Sequence, residues 1–392
     1  MLFYLAAFFI RWKMTITCIE ELRQLAKKRV PKMFYDYVDA GSWTEYSYRA
    51  NESDLRRIEF RQRVAVDIAE RSTMGRMIGQ EVAMPVAIAP TGLTGMIHPD
   101  GEIHAARAAK KFGIPFTLSS MSICSLEAVS QATEGHPFWF QLYVLRDRQF
   151  VANLIDRAKA ANCNALVVTM DLQVFGQRHK DIKNGLSTPP KMTLRNVLNI
   201  ASKPRWCWQM LNTKHRNFGN IIGHVSGVDN IDSMVEWTAQ QYDPRLSWQD
   251  IEWIKRHWGG KLIVKGIMDV ADAQRAVEAG ADALIVSNHG GRQLDGVSSS
   301  ITLLPEIVAA VGDRIEVHFD GGIRSGQDVL KAVALGARGT YIGRSMLYGL
   351  GAMGEEGVTT ALSIIRNEFD LSMAFCGKTG VAGIDSGILR VR

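Results

Sequence analysis

Apolar runs alternate with amphipathic stretches along most of the chain, beginning near residue 84. Eight runs are almost continuously apolar, which is typical of parallel strands covered by helices. Several stretches between them repeat apolar residues at helical spacing and end at a glycine, the residue preferred just beyond a helix. The predicted strands are VAMPVAIAP (82–90), PFTLSS (115–120), PFWFQLYV (137–144), ALVVTMD (165–171), KLIVKG (261–266), ALIVSN (283–288), IEVHFDGG (315–322) and GTYIGR (339–344).

Eight strand–helix units predict an α/β fold, the (β/α)8 or TIM barrel. A helical segment is predicted before the barrel, over residues 19–41, stopping near Gly41. A long insertion, at about residues 182–246, separates the fourth strand from the next barrel helix. Residues 182–228 contain seven Lys or Arg residues and no Asp or Glu, so this part of the insertion is basic.

The domain boundaries follow from this pattern. Residues 1–13 are interpreted as a start-site extension, because the apolar run 1–10 is shorter than the roughly 20 residues that span a bilayer and lacks signal-peptide features. A weak membrane-surface anchor is the alternative. Residues 14–378 are expected to form one domain, and residues 379–392 a C-terminal tail.

Composition narrows the class of protein. The 392 residues are 46% hydrophobic and carry a net charge of +6, which suits a large globular protein and is too modest to indicate nucleic-acid binding. The five cysteines are scattered without a CxxC pair, which indicates reduced thiols in a cytosolic compartment and no metal site.

The predicted strand ends carry polar residues that packing alone does not require. Catalytic groups of this fold lie where the strands end and the following loops begin. The ends are Pro90-Thr91-Gly92, Ser119-Ser120-Met121, Gln141-Leu142-Tyr143, Thr169-Met170-Asp171, Lys265-Gly266, Ser287-Asn288-His289, Asp320-Gly321-Gly322 and Gly343-Arg344.

Two of these ends favour phosphate binding. DGGIRSG follows the seventh strand and IGRS follows the eighth, and these two loops commonly bind phosphate in this fold. The glycines would let backbone N–H groups approach an anion, while Arg324 and Arg344 would supply positive charge. The alternative is that the glycines only form tight turns and the arginines are solvated.

Lys265 ends an apolar strand, where it would face the barrel mouth. It is a candidate Schiff-base nucleophile. It could equally be a fixed cation that stabilises developing negative charge. The residue pattern leaves both readings open.

His289 and Arg292, in SNHGGRQLDG, form the most specific pair. Histidine is the usual base near neutral pH, and arginine binds a carboxylate through two parallel hydrogen bonds. Together they suit a substrate that has a removable proton next to a carboxylate. Asp171 could orient and charge-balance the imidazole, and Arg178 could be a second carboxylate ligand.

These motifs, with DGGIRSGQDVLKAVALGA and IGR, resemble the FMN-dependent α-hydroxy-acid dehydrogenases and oxidases over about residues 17–378. QLYVLRDR, SNHGGRQLDGVSSS and the basic insertion look most like the bacterial quinone-linked L-lactate dehydrogenase branch. The resemblance implies FMN as the cofactor and oxidation of an L-2-hydroxy acid, with L-lactate the expected substrate.

The resemblance also implies a role for each matching residue. His289 would take the proton, Asp171 would stabilise its protonated form, and Lys265 would stabilise the reduced flavin, which removes the Schiff-base reading. Tyr37, Arg178 and Arg292 would bind the carboxylate, and Tyr143 would contact the hydroxyl or the developing carbonyl. The flavin would contact Ala89, Pro90, Thr91, Ser119, Gln141, Thr169, Lys265 and Ser287, and its phosphate Asp320, Gly321, Gly322, Arg324, Gly343 and Arg344.

Met121 departs from glycolate oxidase, which has Trp at the matching position. Because Met is flexible, the glycolate preference does not transfer and a longer acid such as lactate becomes plausible. The alternatives are an oxidase that uses oxygen, a dehydrogenase for mandelate or glycolate, a phosphosugar aldolase or isomerase that uses Lys265, and a non-catalytic flavin-binding or scaffold protein.

The expected partners are the hydroxy acid, quinone or another electron acceptor, a membrane surface and further copies of the chain in a homo-oligomer, without nucleic acid. The basic insertion, with Trp206 and Trp208, suggests peripheral contact with the cytoplasmic face of the bacterial inner membrane. Without that contact, the protein would be cytoplasmic.

Overall fold

The prediction of a (β/α)8 barrel is confirmed. The computed structural model describes residues 15–186, 192–225, 228, 237 and 241–390. Eight strands form one parallel sheet, in which the first strand along the chain pairs with the eighth. A bridge between Ile88 and Phe116 joins the first strand to the second and completes the ring. In chain order they are β1 (Val86–Ile88), β2 (Thr117–Ser119), β3 (Phe138–Leu142), β4 (Cys163–Thr169), β5 (Lys261–Ile267), β6 (Ala283–Val286), β7 (Glu316–Asp320) and β8 (Gly339–Ile342).

Helices follow the strands in turn and cover the outside of the barrel. Their first residues carry the expected caps: Asp147 and Ser325, for example, each accept a backbone N–H three residues ahead. These helices are Gly101–Phe112, Leu126–Ala132, Arg148–Ala160, Trp248–Trp258, Val270–Glu278, Ser300–Val311, Gly326–Ala334 and, after β8, Arg344–Met353 and Glu355–Phe375.

The barrel interior is packed with alternate residues of the strands. Trp139, Val167, Ile285 and Tyr341 are almost fully buried and belong to one cluster inside the barrel. The other strand residues pack outward against the helices in a second, larger core. This two-sided burial explains why the strands are apolar throughout and do not alternate with polar positions.

A short antiparallel hairpin contributes to the interior cluster. Its strands, Gly75–Met77 and Gln80–Val82, precede the barrel and place Met77 inside it with no exposed surface. The Ile78 N–H donates to the carboxylate of Glu316, at the start of β7, over 2.7 Å. Because Glu316 lies at the amino end of its strand, the hairpin covers the end of the barrel opposite the predicted site.

The segment before the barrel forms two helices where one continuous helical stretch was predicted. Ile19–Arg29 and Lys32–Val38 are separated at Pro31. Val30 adopts an extended conformation with φ −85° and ψ 141°, as a residue before proline prefers. A third helix, Tyr46–Arg57, was not predicted and packs against Ser300–Val311.

The predicted C-terminal tail, residues 379–392, is packed along its described part. After two short 3-10 turns, Val381–Gly383 and Ser386–Ile388, strand Leu389–Arg390 pairs antiparallel with Glu59–Phe60. Leu389 is buried, so this pairing contributes to the hydrophobic core.

The insertion after β4 contains three short helices in its described part, although the sequence predicted only a basic segment. They are His179–Lys183, Leu194–Ala201 and Pro204–Asn212. Trp206 fastens the last of them to the barrel, because its ring stacks on Phe34 and its Nε1–H donates to the Met96 carbonyl over 3.1 Å. Residues 1–14, with the predicted extension, lie outside the described residues.

Among the described residues, we find no helix whose length and apolar character would let it cross a membrane.

The two helices after β8 approach each other through glycines. A Cβ added at Gly357 would lie 1.9 Å from the carbonyl oxygen of Gly349. We therefore expect Gly357→Ala to force the helices apart and to lower the free energy of unfolding by about 1–3 kcal/mol, as overpacking does. Thermal or urea unfolding measures this change.

Gly383→Ala is the matched control, since a Cβ there meets nothing within 4 Å. Equal stability of the two variants would contradict the close approach of the helices.

Candidate active site

Every barrel strand ends with a small or polar residue that points into the barrel mouth. Inward positions alternate with outward ones, so the last inward residues of the eight strands meet in one ring. The buried ring includes Ser119, Gln141, Thr169, Lys265 and Ser287. The ring members, in strand order, are Ala89, Ser119, Gln141, Thr169, Lys265, Ser287, Asp320 and Gly343.

A buried charge pair lies on one side of this ring. Lys265, only 4% exposed, places its ammonium 2.9 Å from Asp320 Oδ2 and 2.8 Å from Ser287 Oγ. Ser287 in turn donates to Asp320 Oδ2 over 2.8 Å. Burial alone would raise the pKa of Asp320, but the attraction of Lys265 outweighs it and lowers that pKa. Asp320 therefore stays ionised and keeps Lys265 in place.

The predicted base and its carboxylate partner are in contact. His289 Nδ1 lies 2.9 Å from Asp171 Oδ1, and because the carboxylate can only accept, Nδ1 carries the proton. His289 adopts a left-handed conformation with φ 57°, and its N–H donates to Ser287 Oγ. Gly266 makes room for the pair, since a Cβ there would lie 2.7 Å from Asp171 Cγ.

Two arginines and a tyrosine form the cationic end of the pocket. The guanidinium of Arg292 lies 4.5 Å from the centre of the Tyr37 ring, and that of Arg178 lies 5.8 Å from it. Arg178 pairs with Asp181, whereas Arg292 donates to the backbone carbonyls of Tyr37 and Ala40.

Among the described residues, Arg292 has no carboxylate partner, since its side-chain hydrogen bonds go to backbone carbonyls. Burial first, and then the nearby charge of Arg178, lower its pKa to about 10. Two cations that both lie over the Tyr37 ring form a favourable site for an anion, and the guanidinium fork suits a carboxylate.

Tyr143 and Met121 lie at the ends of β3 and β2. Burial, the neighbouring Tyr242 and the charge of Asp171 raise the pKa of Tyr143 well above its ordinary value, so its hydroxyl remains a proton donor. A Cβ added at Gly92 would lie 3.4 Å from the Met121 carbonyl oxygen and 3.5 Å from the Tyr37 hydroxyl. The predicted substrate residues Tyr37 and Met121 therefore both lie beside Gly92.

Cross-links between loops hold His289 and Arg292 in position. The Gln293 amide donates to the carbonyls of Asp171 and Val174 over 2.6 and 2.8 Å, which joins the loops after β4 and β6. Asn288 and Asn51 exchange two side-chain hydrogen bonds of 2.8 and 2.9 Å, which fastens the loop after β6 to helix Tyr46–Arg57. Neither the Gln293 hydrogen bonds nor the Asn288–Asn51 pair was predicted, because the partners are far apart in sequence.

Arg344 holds the segment that carries Tyr37. Its three side-chain nitrogens donate to the carbonyls of Val38, Gly290 and Ala40 over 2.8 to 2.9 Å. Asp39 anchors the same segment, since it accepts hydrogen bonds from Arg23, Tyr35, Tyr48 and Tyr348. Burial opposes ionisation of Asp39, but Arg23 and the tyrosines lower its pKa to about 2.

The predicted phosphate loops lie at the ends of β7 and β8. Gly321 and Gly322 have positive φ, and a Cβ at Gly322 would lie 2.2 Å from the Asn51 carbonyl oxygen, so both glycines serve the backbone turn. Arg324 pairs with Glu52 over 2.9 Å. Space remains at Gly343, where a Cβ would meet only Ala89 and Thr91, each at 3.8 Å.

The ring offers unpartnered groups that fit the predicted flavin. Gln141 Oε1 accepts from Ser119 over 3.0 Å, while its buried Nε2 has no hydrogen-bond partner among the described residues. Such a buried donor requires an acceptor, and the flavin ring carries carbonyl oxygens and nitrogens. The buried cation Lys265 is another member of this ring of strand-end residues. There it would face the flavin, whose ring system becomes anionic on reduction.

Tyr242 also belongs to this pocket, although nothing in its sequence context indicated so. Its ring centre lies 6.1 Å from that of Tyr143 and 4.3 Å from that of Phe175. It lies near the end of the insertion, far in sequence from any strand-end motif.

Among the described residues, one group of possible metal ligands lies outside the pocket, formed by Asp100, Cys124 and His215. Asp100 Oδ1 accepts hydrogen bonds from Thr213 Oγ1 over 2.7 Å and from His215 Nδ1 over 2.6 Å. These hydrogen bonds join the insertion to the barrel, and this structural role explains why the three side chains lie together.

Comparisons with known proteins agree on one family. The FMN-dependent dehydrogenase family matches residues 26–391. A Caulobacter vibrioides protein named L-lactate dehydrogenase is 44% identical over 97% of this chain and 99% of its own, and one from Pseudomonas syringae is 43% identical over 96% and 99%.

Solved structures agree with the sequences. The chain superposes with a TM-score of 0.91 on a crystal structure of monotopic membrane protein (S)-mandelate dehydrogenase. The two are 34% identical, and the match covers 96% of this chain and 100% of the other. A mandelate oxidase structure superposes with a TM-score of 0.80 at 34% identity, and the match covers 96% of this chain and 98% of the oxidase chain. The buried ring, its unpartnered amide and these matches together show that the chain belongs to the FMN-dependent dehydrogenase family, whose cofactor is FMN.

Proposed function

We propose that this protein oxidises an L-2-hydroxy acid, L-lactate in particular, to the 2-oxo acid with FMN as electron acceptor. The observation that carries the proposal is the His289–Asp171 pair, placed in one pocket with two arginines, a tyrosine and the buried Lys265. The relatives named L-lactate dehydrogenase, at 43–44% identity, support lactate as the substrate.

Each end of the pocket has a distinct task. Arg292 and Arg178, with the Tyr37 hydroxyl, bind the substrate carboxylate, and Tyr143 donates to the oxygen on C2. His289 holds the Nδ1 proton against Asp171, which leaves Nε2 free as the base. As Nε2 takes a proton from the substrate, the Asp171 carboxylate stabilises the imidazolium that results.

Oxidation of the hydroxy acid removes two electrons and two protons. When bound, FMN would accept the two electrons together with the second proton, and His289 receives the first proton. Ser119, Gln141, Thr169 and Ser287, together with the backbone at Ala89, Pro90 and Thr91, would hold the flavin. Lys265 would balance the negative charge of the reduced ring, and the backbone at Gly321, Gly322 and Gly343 would bind the phosphate within the positive field of Arg324 and Arg344.

A second substrate has specific support, because the solved structures that match include mandelate dehydrogenase and mandelate oxidase. Anaerobic titration of the yellow holoenzyme with L-lactate, mandelate, glycolate and D-lactate separates the candidates. We expect L-lactate to bleach the flavin absorbance most efficiently. A colourless protein would favour an aldolase, and rapid reoxidation by oxygen would favour an oxidase.

The insertion presents an apolar surface that suits a membrane. Leu194, Val197 and Leu198 lie on one face of helix Leu194–Ala201 and are half or more exposed, as are Trp208 and Leu211 of helix Pro204–Asn212. Basic residues, including Arg195, Lys203 and Arg205, lie among them. Large exposed apolar patches mark contact sites, and basic charge near an anionic leaflet adds about 1 kcal/mol per residue.

The helices therefore dock the enzyme on the cytoplasmic face of the inner membrane, and quinone is the electron acceptor. The matching structure titled monotopic membrane protein supports this placement. The insertion follows β4, so it emerges from the end of the barrel where the flavin would bind, within reach of a membrane-dissolved acceptor.

The base is tested by His289→Ala. This variant should keep FMN but lose more than the 10²–10⁴ in rate that acid–base catalysis typically contributes, because it lacks the imidazole that receives the substrate proton. Stopped-flow flavin reduction by L-lactate under anaerobic conditions measures the loss. His136→Ala, at an exposed histidine far from the pocket, should reduce at the wild-type rate. Near wild-type reduction in His289→Ala would remove His289 from the mechanism.

The carboxylate ligand is tested by Arg292→Lys, which keeps the charge and loses the fork. We expect a higher KM for lactate, a lower kcat and weaker binding of pyruvate to the oxidised enzyme, seen as a shift of the flavin spectrum. Arg71→Lys, at an arginine that binds Asp370 through two hydrogen bonds elsewhere on the molecule, is the control. Unchanged constants in Arg292→Lys would refute the assignment.

The membrane surface is tested by replacing Leu194, Leu198, Trp208 and Leu211 with Ser. Cell fractionation should then move the enzyme to the soluble fraction, while lactate-driven reduction of a soluble dye persists. Point substitutions are preferable to deletion because Ile221 is buried and Asn220 caps the Leu126 N–H over 2.9 Å.

The matched control replaces Val64, Met74, Phe375 and Leu371, which are exposed apolar residues outside the insertion. Unaltered membrane attachment of the insertion variant, or equal release of the control, would count against the surface.

A further inference from the structure

Tyr242 lies against the substrate pocket but has no part in the chemistry proposed above. Its ring contacts Phe175, of the loop after β4, and Tyr143, at the end of β3, in edge-on arrangements with ring centres 4.3 and 6.1 Å apart. It is also close enough to Tyr37 and Arg178 for their charges to act on its hydroxyl. The ring therefore spans the pocket from the cationic end to the reacting end.

The backbone of Tyr242 is held firmly over the pocket. Tyr242 pairs with Leu145 in an antiparallel bridge, and Arg146 N–H donates to the Gln241 carbonyl over 2.8 Å. The next residue, Asp243, is buried and pairs with Arg148 over 3.0 Å. Gln173 donates to the Leu246 carbonyl over 3.0 Å, which fastens the same segment to the loop after β4.

These contacts hold the backbone and ring of Tyr242 in one position, so the side chain forms a fixed side of the pocket. Burial, with a further contribution from Tyr37, raises its pKa despite the opposing charge of Arg178, so the hydroxyl stays neutral. Tyr242, Tyr143 and Tyr37 are close enough for their charges to act on one another, so Tyr242 borders the same pocket as the two predicted substrate tyrosines.

We propose that Tyr242 determines the size of the substrate: together with Phe175 its ring closes the space beside C2, so that a methyl group fits and a phenyl group does not. This inference rests on the proposed oxidation of a 2-hydroxy acid and goes further, because it assigns the selectivity for lactate over mandelate to a residue of the insertion. Removing the ring frees about the volume of the phenyl group by which mandelate differs from lactate.

The test compares Tyr242→Ala with Tyr242→Phe in the FMN-loaded enzyme. Anaerobic flavin reduction gives kcat/KM for L-lactate and for (S)-mandelate. Flavin spectral shifts give Kd for the products, pyruvate and benzoylformate, without turnover. Tyr242→Ala should raise the mandelate-to-lactate ratio of kcat/KM by about tenfold or more, within the range set by apolar pocket contacts. The benzoylformate-to-pyruvate ratio of Kd should fall in parallel.

Tyr242→Phe keeps the ring and should retain both wild-type ratios. Asn217→Ala, at an exposed residue of the same insertion outside the proposed membrane surface, controls for general disturbance of that segment. If Tyr242→Ala does not retain FMN, Tyr242→Leu provides the comparison, since it keeps an apolar contact with Phe175 while shortening the wall.

Unchanged ratios in Tyr242→Ala, or in Tyr242→Leu where that variant is used, would overturn the inference. An equal change in Tyr242→Phe would do the same, because it would assign the effect to the hydroxyl. Failure of the proposed function is a separate result: the wild-type flavin would then be reduced by no 2-hydroxy acid at all.

Discussion

Closure of the barrel is the constraint on which the site depends. In a closed ring of eight parallel strands, alternate residues point inward, and the last inward residue of each strand must face the other seven. Below this layer the interior is filled by apolar side chains such as Trp139 and Ile285. At the mouth the same geometry brings together Ser119, Gln141 and Lys265, whose polar groups could not be buried separately without partners.

The distribution of charge around the mouth gives each cation a different role. Lys265 has a carboxylate partner in Asp320, and Arg324 has one in Glu52, so both are held in fixed positions. Arg292 is different, because backbone carbonyls position it without neutralising it and Arg178 repels it. In the proposed function, a carboxylate bound between these arginines would relieve the repulsion, so substrate binding and charge balance would favour the same geometry.

A second layer of structure completes the pocket from outside the barrel. The N-terminal segment supplies Tyr37, which Arg344 and Asp39 fix in place through the carbonyls and carboxylate beside it. The insertion supplies Tyr242 on the other side and also carries the exposed apolar helices. Because the same insertion carries both the proposed pocket wall and the proposed membrane surface, a shift of the insertion at the membrane would alter the substrate pocket.

The sequence alone determined the barrel and most of the candidate site, because apolar strands and the polar residues that end them are local patterns. His289, Asp171 and Lys265 were each identified from a strand end, and the structure brings them to one pocket. Tertiary structure alone decided how Arg324 and Arg344 are engaged, and that Asn51, Gln293 and Tyr242 support or line the pocket. These contacts join residues tens to hundreds of positions apart, and no periodicity or motif encodes such a pairing.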